Sequence, residues 1–170
     1  MQRLDDPPEL VPLFDEVMRR PADDGPRTVL ADALMERGDA RGEFISLQLL
    51  VARGVATAAQ TARAENLLKF HQRRWLSELP ALARDGAHFH RGFLQRAVVE
   101  PTGQGVDHPL WRSIEELRVR PTQVRPDELG SPRLEALVTL DGVDALALSV
   151  VADGPVRPRL ATMSVVGPAL

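Results

Sequence analysis

The chain has no cysteine. That removes disulfides, thiol nucleophiles, cysteine-ligated zinc and iron–sulfur clusters together. Tyrosine is also missing, and of 21 basic residues only Lys69 is a lysine. With its many Ala, Val, Gly and Pro residues, this composition points to a GC-rich bacterial genome. No apolar run nears the ~20 residues of a membrane span. The opening "MQRLDDPPEL" is acidic and proline-bearing, unlike the basic start and apolar run of a signal peptide. A cytoplasmic location is the expectation. There is no Walker loop, GxGxxG, GxSxG or HExxH. The six serines (Ser46, Ser77, Ser113, Ser131, Ser149 and Ser164) have no His/Asp arrangement near them in sequence. These absences point away from an enzyme, and no cofactor or metal is expected.

What is present fits one compact unit, or two sub-parts packed as one, in 170 residues. A hydrophobic content of 44% is enough for a real core, and a net charge of −3 creates no strong field for nucleic acid or anionic membranes. The charge is uneven. Residues 1–68 carry a net −4, residues 69–96 a net +4, and residues 97–170 a net −3.

The first half has helical periodicity. Asp6 precedes Pro7 and Pro8, and Leu10, Leu13, Phe14, Val17 and Met18 recur at spacings of three and four. Asp24 is a candidate cap for a second helix, with Val29, Leu30, Ala33 and Leu34 inside. In "MERGDARGEF", Gly38 sits where a left-handed C-cap is wanted and Asp39 where a third helix begins. Phe44, Leu47, Leu50 and Val51 supply its apolar stripe. Thr57 can cap a fourth helix running toward Trp75. The Arg37-Gly38-Asp39 tripeptide looks like an adhesion motif, but tight helix corners use the same residues.

After residue 86 the pattern changes. Leu94-Ala97-Val99, Ile114-Leu117-Val119, Leu134-Leu137-Thr139 and Leu160-Met163-Val165 repeat one apolar spacing, with steps of 20, 20 and 26 residues. Thr139 matches weakly, with Leu140 apolar beside it. Such a period suggests strands with return segments stacked in a solenoid. The expected fold is mixed α/β. An N-terminal helical bundle (1–86) caps a short parallel, leucine-rich-repeat-like sheet (87–170), with 143–151 as a return helix. The alternative is an α+β arrangement with an antiparallel hairpin at 134–151, prompted by Asp141-Gly142 between two apolar runs.

The stretch "FDEVMRRPADDGPRTVLADALMERGDARGEFISLQLLVAR" resembles the bacterial repeat-companion domain of myxobacteria and planctomycetes. Asp24, Arg27, Ala31, Asp32, Leu34, Glu36, Gly38, Asp39, Arg41, Gly42, Glu43 and Phe44 fall on the family pattern. "RRWLSELP" and "FHRGFLQRAVV" look like the segment that follows it, so the likeness covers roughly the first 100 residues. The chain departs at Leu30 and Ala33, where the family usually has a tyrosine and a tryptophan. The resemblance implies no activity. It implies a helical module attached to leucine-rich-type repeats, hence a scaffold or partner-binding protein.

Several residue sets are candidate sites. Asp24, Arg27, Asp32 and Arg41 read as structural ion-pair formers, with Asp32 and Arg41 a possible pair that fixes helix docking. Glu100, Arg118 and Arg120 alternate outward between apolar strand positions and are the expected docking residues. Lys69, Arg73, Arg74, Arg84, Arg91 and Arg96, interleaved with Phe70, Trp75, Phe89 and Phe93, form an alternative patch for nucleic acid or phosphate. His88 and His90 share a strand face. A metal there would need His71 or Asp85 as well, and partly exposed strand histidines are the simpler account. The function expected is a non-catalytic protein–protein interaction or scaffold module. Its partner would be another protein, or a second copy through the open sheet end. No membrane partner is expected, and nucleic acid is the alternative.

Overall fold

The computed structural model describes residues 5–76, 82–99, 108–120, 127–155 and 157–165, with backbone alone at 82–85, 127–128 and 146–147. It is a mixed α/β protein: four N-terminal helices, then a five-stranded, mostly parallel sheet with one antiparallel pair. Contacts divide it into two compact units. One comprises residues 1–75 with 89–93, and the other comprises 76–88 with 94–170.

In the helical unit, α1 spans Val11–Arg19, α2 Gly25–Glu36, α3 Ala40–Ala52 and α4 Ala58–Leu76, the last residue falling in the second unit. Local chemistry sets their ends. Gly38 adopts φ +69° beyond α2, where a side chain would be strained. Asp39 then caps α3 by accepting the Arg41 N–H at 2.9 Å. Thr57 and Gln60 form a reciprocal box at the start of α4: the Gln60 N–H donates to Thr57 Oγ1 at 3.2 Å and the Thr57 N–H to Gln60 Oε1 at 2.9 Å. The sequence places caps at Asp6 and Asp24, but neither carboxylate caps a helix here. A short 3₁₀ turn, Pro8–Leu10, precedes α1, and Asp23 rather than Asp24 accepts the Gly25 N–H at 2.8 Å. Leu10, Phe14, Val17, Leu30, Ala31, Leu34, Ile45, Leu49 and Phe93 form one buried cluster. Phe44, Trp75 and Phe89 form an aromatic group, with ring centroids 5.1 Å (Phe44–Trp75) and 5.9 Å (Phe44–Phe89) apart.

The strand order of the sheet is β1 (Leu82–His90), β2 (Phe93–Val99), β3 (Glu116–Val119), β4 (Thr139–Val143) and β5 (Thr162–Val165), with residues 89, 90 and 93 falling in the first unit. The sheet is not wholly parallel, as the sequence reading had it. β1 runs antiparallel to β2 because the chain reverses at Arg91-Gly92, with φ of 51° and 83°. The remaining pairs, β2–β3, β3–β4 and β4–β5, are all parallel. The return helix α5 (Ala145–Asp153) leads from β4 toward β5, so the 134–151 hairpin does not form. Among the described residues, the 3₁₀ turns Pro109–Ser113, Asp127–Gly130 and Leu134–Ala136 lie in the earlier connections.

The register corrects one rung of the predicted ladder. Ala97 pairs with Leu117, Leu117 with Leu140, and Leu140 with Met163. The third rung is therefore Leu140, not Leu137, and the steps become about 20, 23 and 23 residues. Leu137 takes the place that Leu94 and Ile114 hold in the earlier copies, and all three are fully buried. β4 hid this alignment by carrying an extra residue. Its register to β5 shifts between Leu140 and Val143, and Gly142 at φ +80° forms the bulge.

Candidate functional site

Side chains alternate across a strand, so burying one row of this ladder turns the next row outward. Ala97, Val99, Leu117, Val119 and Leu140 are buried. The outward rows then follow from the register. Arg96, Glu116, Thr139 and Thr162 are neighbours across four strands, as are Val98, Arg118 and Asp141 across three. These rows line an open groove of about 660 Å³, shared with Gly86, His88 and Ser164.

The charges on this face are paired across strands. Arg96 Nε donates to Glu116 Oε2 at 2.6 Å, and Arg118 Nε to Asp141 Oδ2 at 2.7 Å. Ser164 Oγ donates to the other Asp141 oxygen and accepts the Gly142 N–H at 3.2 Å. The Arg96 bond holds the Glu116 carboxyl below its usual range. The Ser164 bond, then that from Arg118, does the same for Asp141. Both acids are thus held ionised, which suits them to pairing rather than proton donation. Because the pairs are exposed, solvent screens them and each contributes little to stability.

The structure separates the residues singled out in the sequence. Arg118 is exposed on the open face, Arg120 is exposed just beyond β3, and Glu100 lies outside the described residues. Lys69, Arg73 and Arg74 are exposed on α4. Arg91 instead donates to the carbonyls of Pro21 and Ala22, each at 3.0 Å, and to Asp24. Burial raises the Asp24 carboxyl, but the bonds from Arg91 and Arg53 outweigh it and leave it below its ordinary value. Arg96 belongs to the sheet face, and the Arg84 side chain lies outside the described residues. Of the aromatics, Trp75, Phe89 and Phe93 are buried, while Phe70 is 79% exposed.

Arg41 is fully buried and pairs with Asp6 and Asp39, its guanidinium 5.9 Å from the Phe14 ring centroid. Burial lowers its pKa, but the two carboxylates more than reverse this and raise it. Arg27 is buried, donates to Asp23 O at 3.0 Å and lies 5.5 Å from the Phe93 centroid. Asp32 stands exposed on α2, apart from Arg41. His71 stacks on Trp75 at 5.3 Å, His88 and His90 are exposed, and the Asp85 side chain lies outside the described residues. Among the described residues no three metal-capable side chains converge. In the Arg37-Gly38-Asp39 corner, Arg37 pairs with Glu9 at 2.9 Å while Asp39 caps α3.

Sequence reasoning missed Glu116, Asp141 and Ser164 on the open face, and Asp6 beneath Arg41. The face residues had a signal. Arg96 and Glu116 are 20 apart and Arg118 and Asp141 are 23 apart, the same offsets as the apolar rungs.

Compared with family models, curated proteins and solved structures, the chain matches none.

Proposed function

We propose that this chain is a non-catalytic docking module of the bacterial cytoplasm. In this reading a repeat-companion-like helical unit stands in one chain with a leucine-rich-repeat-like ladder, and the ladder's open face binds another protein. The observation that carries it is the face around Arg118. Two exposed cross-strand ion pairs and a row of hydroxyls line a broad groove, over a row of buried apolar rungs. Such a surface offers many geometrically fixed hydrogen-bonding points and exposed, solvent-screened ion pairs. No helix among the described residues is long and apolar enough to cross a membrane.

The test is affinity capture from native cytosol with the full chain and with the Arg118→Glu/Arg120→Glu variant. The expected result is specific partners with the parent chain and their loss with the variant. Identical partners from both would place binding on another surface.

One observation favours a second reading. Phe70 stands exposed on α4 beside Lys69, Arg73 and Arg74, a basic helix face with an aromatic available for stacking on single-stranded nucleic acid. That reading requires binding that weakens steeply with salt. No retention of a mixed RNA and DNA pool at low salt removes it.

A further inference from the structure

Building on the docking-module reading, we propose that the outer edge of β5 is a self-association site. There a second copy of this chain pairs its own β5 antiparallel, about a two-fold axis. β5 is the last strand of the sheet, and among the described residues no strand lies on its outer side. All four of its residues are exposed. Met163 continues the buried row of Ala97, Leu117 and Leu140, yet it is 40% exposed. Val165, in register with buried Val143, is 55% exposed. Natural edge strands are usually blunted by shortness, lysine, proline, a bulge or an inward charge; β5 is short, at four residues, and the bulge beside it lies in β4. From Leu160 to Val165 there is no charged residue, proline or glycine. Arg159, just before this stretch, is turned to Glu115 at 3.6 Å.

Backbone direction and side-chain polarity select the occupant. Thr162 gives its N–H to Val138 O at 3.1 Å, so its peptide groups face β4. By alternation, Met163 and Val165 present their N–H and C=O groups to the open side. An antiparallel copy of β5 centred on Ser164 engages all of those groups; one centred on Met163 engages those of Met163 but sets Val165 opposite Ala161, whose N–H is given to Val138 O at 2.9 Å. Either register sets apolar residues opposite apolar ones: Met163 against Met163 or Val165 of the second copy. A register centred between the two residues would set Met163 against serine, so polarity restricts the pairing. A neutral strand gives an acidic or basic foreign strand no ion pair by which to be selected, while β5 supplies its own complement. Four residues bury well below the roughly 1,200 Å² of a stable interface, so the dimer is concentration-dependent.

The test is sedimentation equilibrium of the full chain over a series reaching about millimolar, where small interfaces populate. Dimers are expected. Met163→Lys weakens them about tenfold or more, by charging the edge at an exposed position. Val165→Lys repeats the test at a second exposed position. The cysteine-free background allows a geometric readout. Directly opposite antiparallel residues lie about 4.5–5.5 Å apart, within disulfide reach. Either Met163→Cys or Ser164→Cys therefore oxidises to a symmetric covalent dimer far faster than the exposed α4 control Ala59→Cys. A chain monomeric throughout the series overturns the proposal. So do dimers that survive both lysine variants, and cysteine variants that oxidise no faster than the control. A monomer that still captures Arg118-dependent partners refutes the edge pairing while leaving the docking face standing. Dimers with the expected cross-link but no such partners refute the docking face instead.

Discussion

Arg41 places a guanidinium among Asp6, Asp39 and the Phe14 ring, with its side chain and that of Asp6 each 2% exposed. Removing one member of a buried pair leaves the other charged and unpaired, which costs roughly 3–5 kcal/mol. Arg41→Ala is accordingly expected to destabilise the helical unit by that amount in urea unfolding followed by far-UV circular dichroism. Asp32→Ala, at an exposed position, is expected to change stability by no more than about 0.5 kcal/mol. Equal losses from the two would contradict this account of the helical unit. The sequence made Arg41 legible as a pair-former but misdirected its partner. Asp32 lies near the apolar stripe of α2 when helical spacing is counted, whereas Asp6 reaches Arg41 across 35 residues. No local periodicity reports such a contact. Asp6-Pro7 also reads as a helix start, which assigned that carboxylate a different task.

Among the elements, the α2–α3 corner shows how sequence chemistry sets packing. Gly38 and Asp39 end one helix and begin the next. Gly42 then lets the helices approach closely. A Cβ built on it would lie 2.5 Å from Ala31 O and 2.7 Å from the Met35 N. Both obstacles are backbone and cannot swing aside. Alanine is the better helix former by about 0.8–1.0 kcal/mol, yet here the clash wins. Gly42→Ala is expected to cost about 1–3 kcal/mol, read as a lower urea midpoint; a stabilised variant would mean the helices lie farther apart. Elements with caps, such as α3 and α4, were readable because their end signals are local. β1 was harder, since Pro80 and the mixed polarity of 81–86 mask a strand whose partner lies across the Arg91-Gly92 turn. The segment from Ala145 to Asp153 is apolar enough to suit either helix or strand, and periodicity alone does not decide between them.

For the whole molecule, the central claim is that the same strand-to-strand offsets, 20 and then 23 residues, set both the buried rungs and the charged face above them. Ala97, Leu117, Leu140 and Met163 are successive rungs, and Arg96–Glu116 and Arg118–Asp141 are cross-strand pairs at the same offsets. The repeat was visible in the sequence, but the bulge at Gly142 concealed its third copy. An extra residue flips every later side chain to the other face. A pattern search that forbids insertions therefore settles on Leu137, which is buried for a different reason, two residues ahead of the strand. The most direct test is the set of interstrand backbone nuclear Overhauser effects in the isotopically labelled full chain. The account predicts parallel-sheet contacts linking Leu117 to the region of Leu140, and Leu140 to that of Met163. Contacts that instead align Leu117 with Leu137, or an antiparallel pattern between β4 and β5, would contradict it and leave the proposed docking face without its geometry.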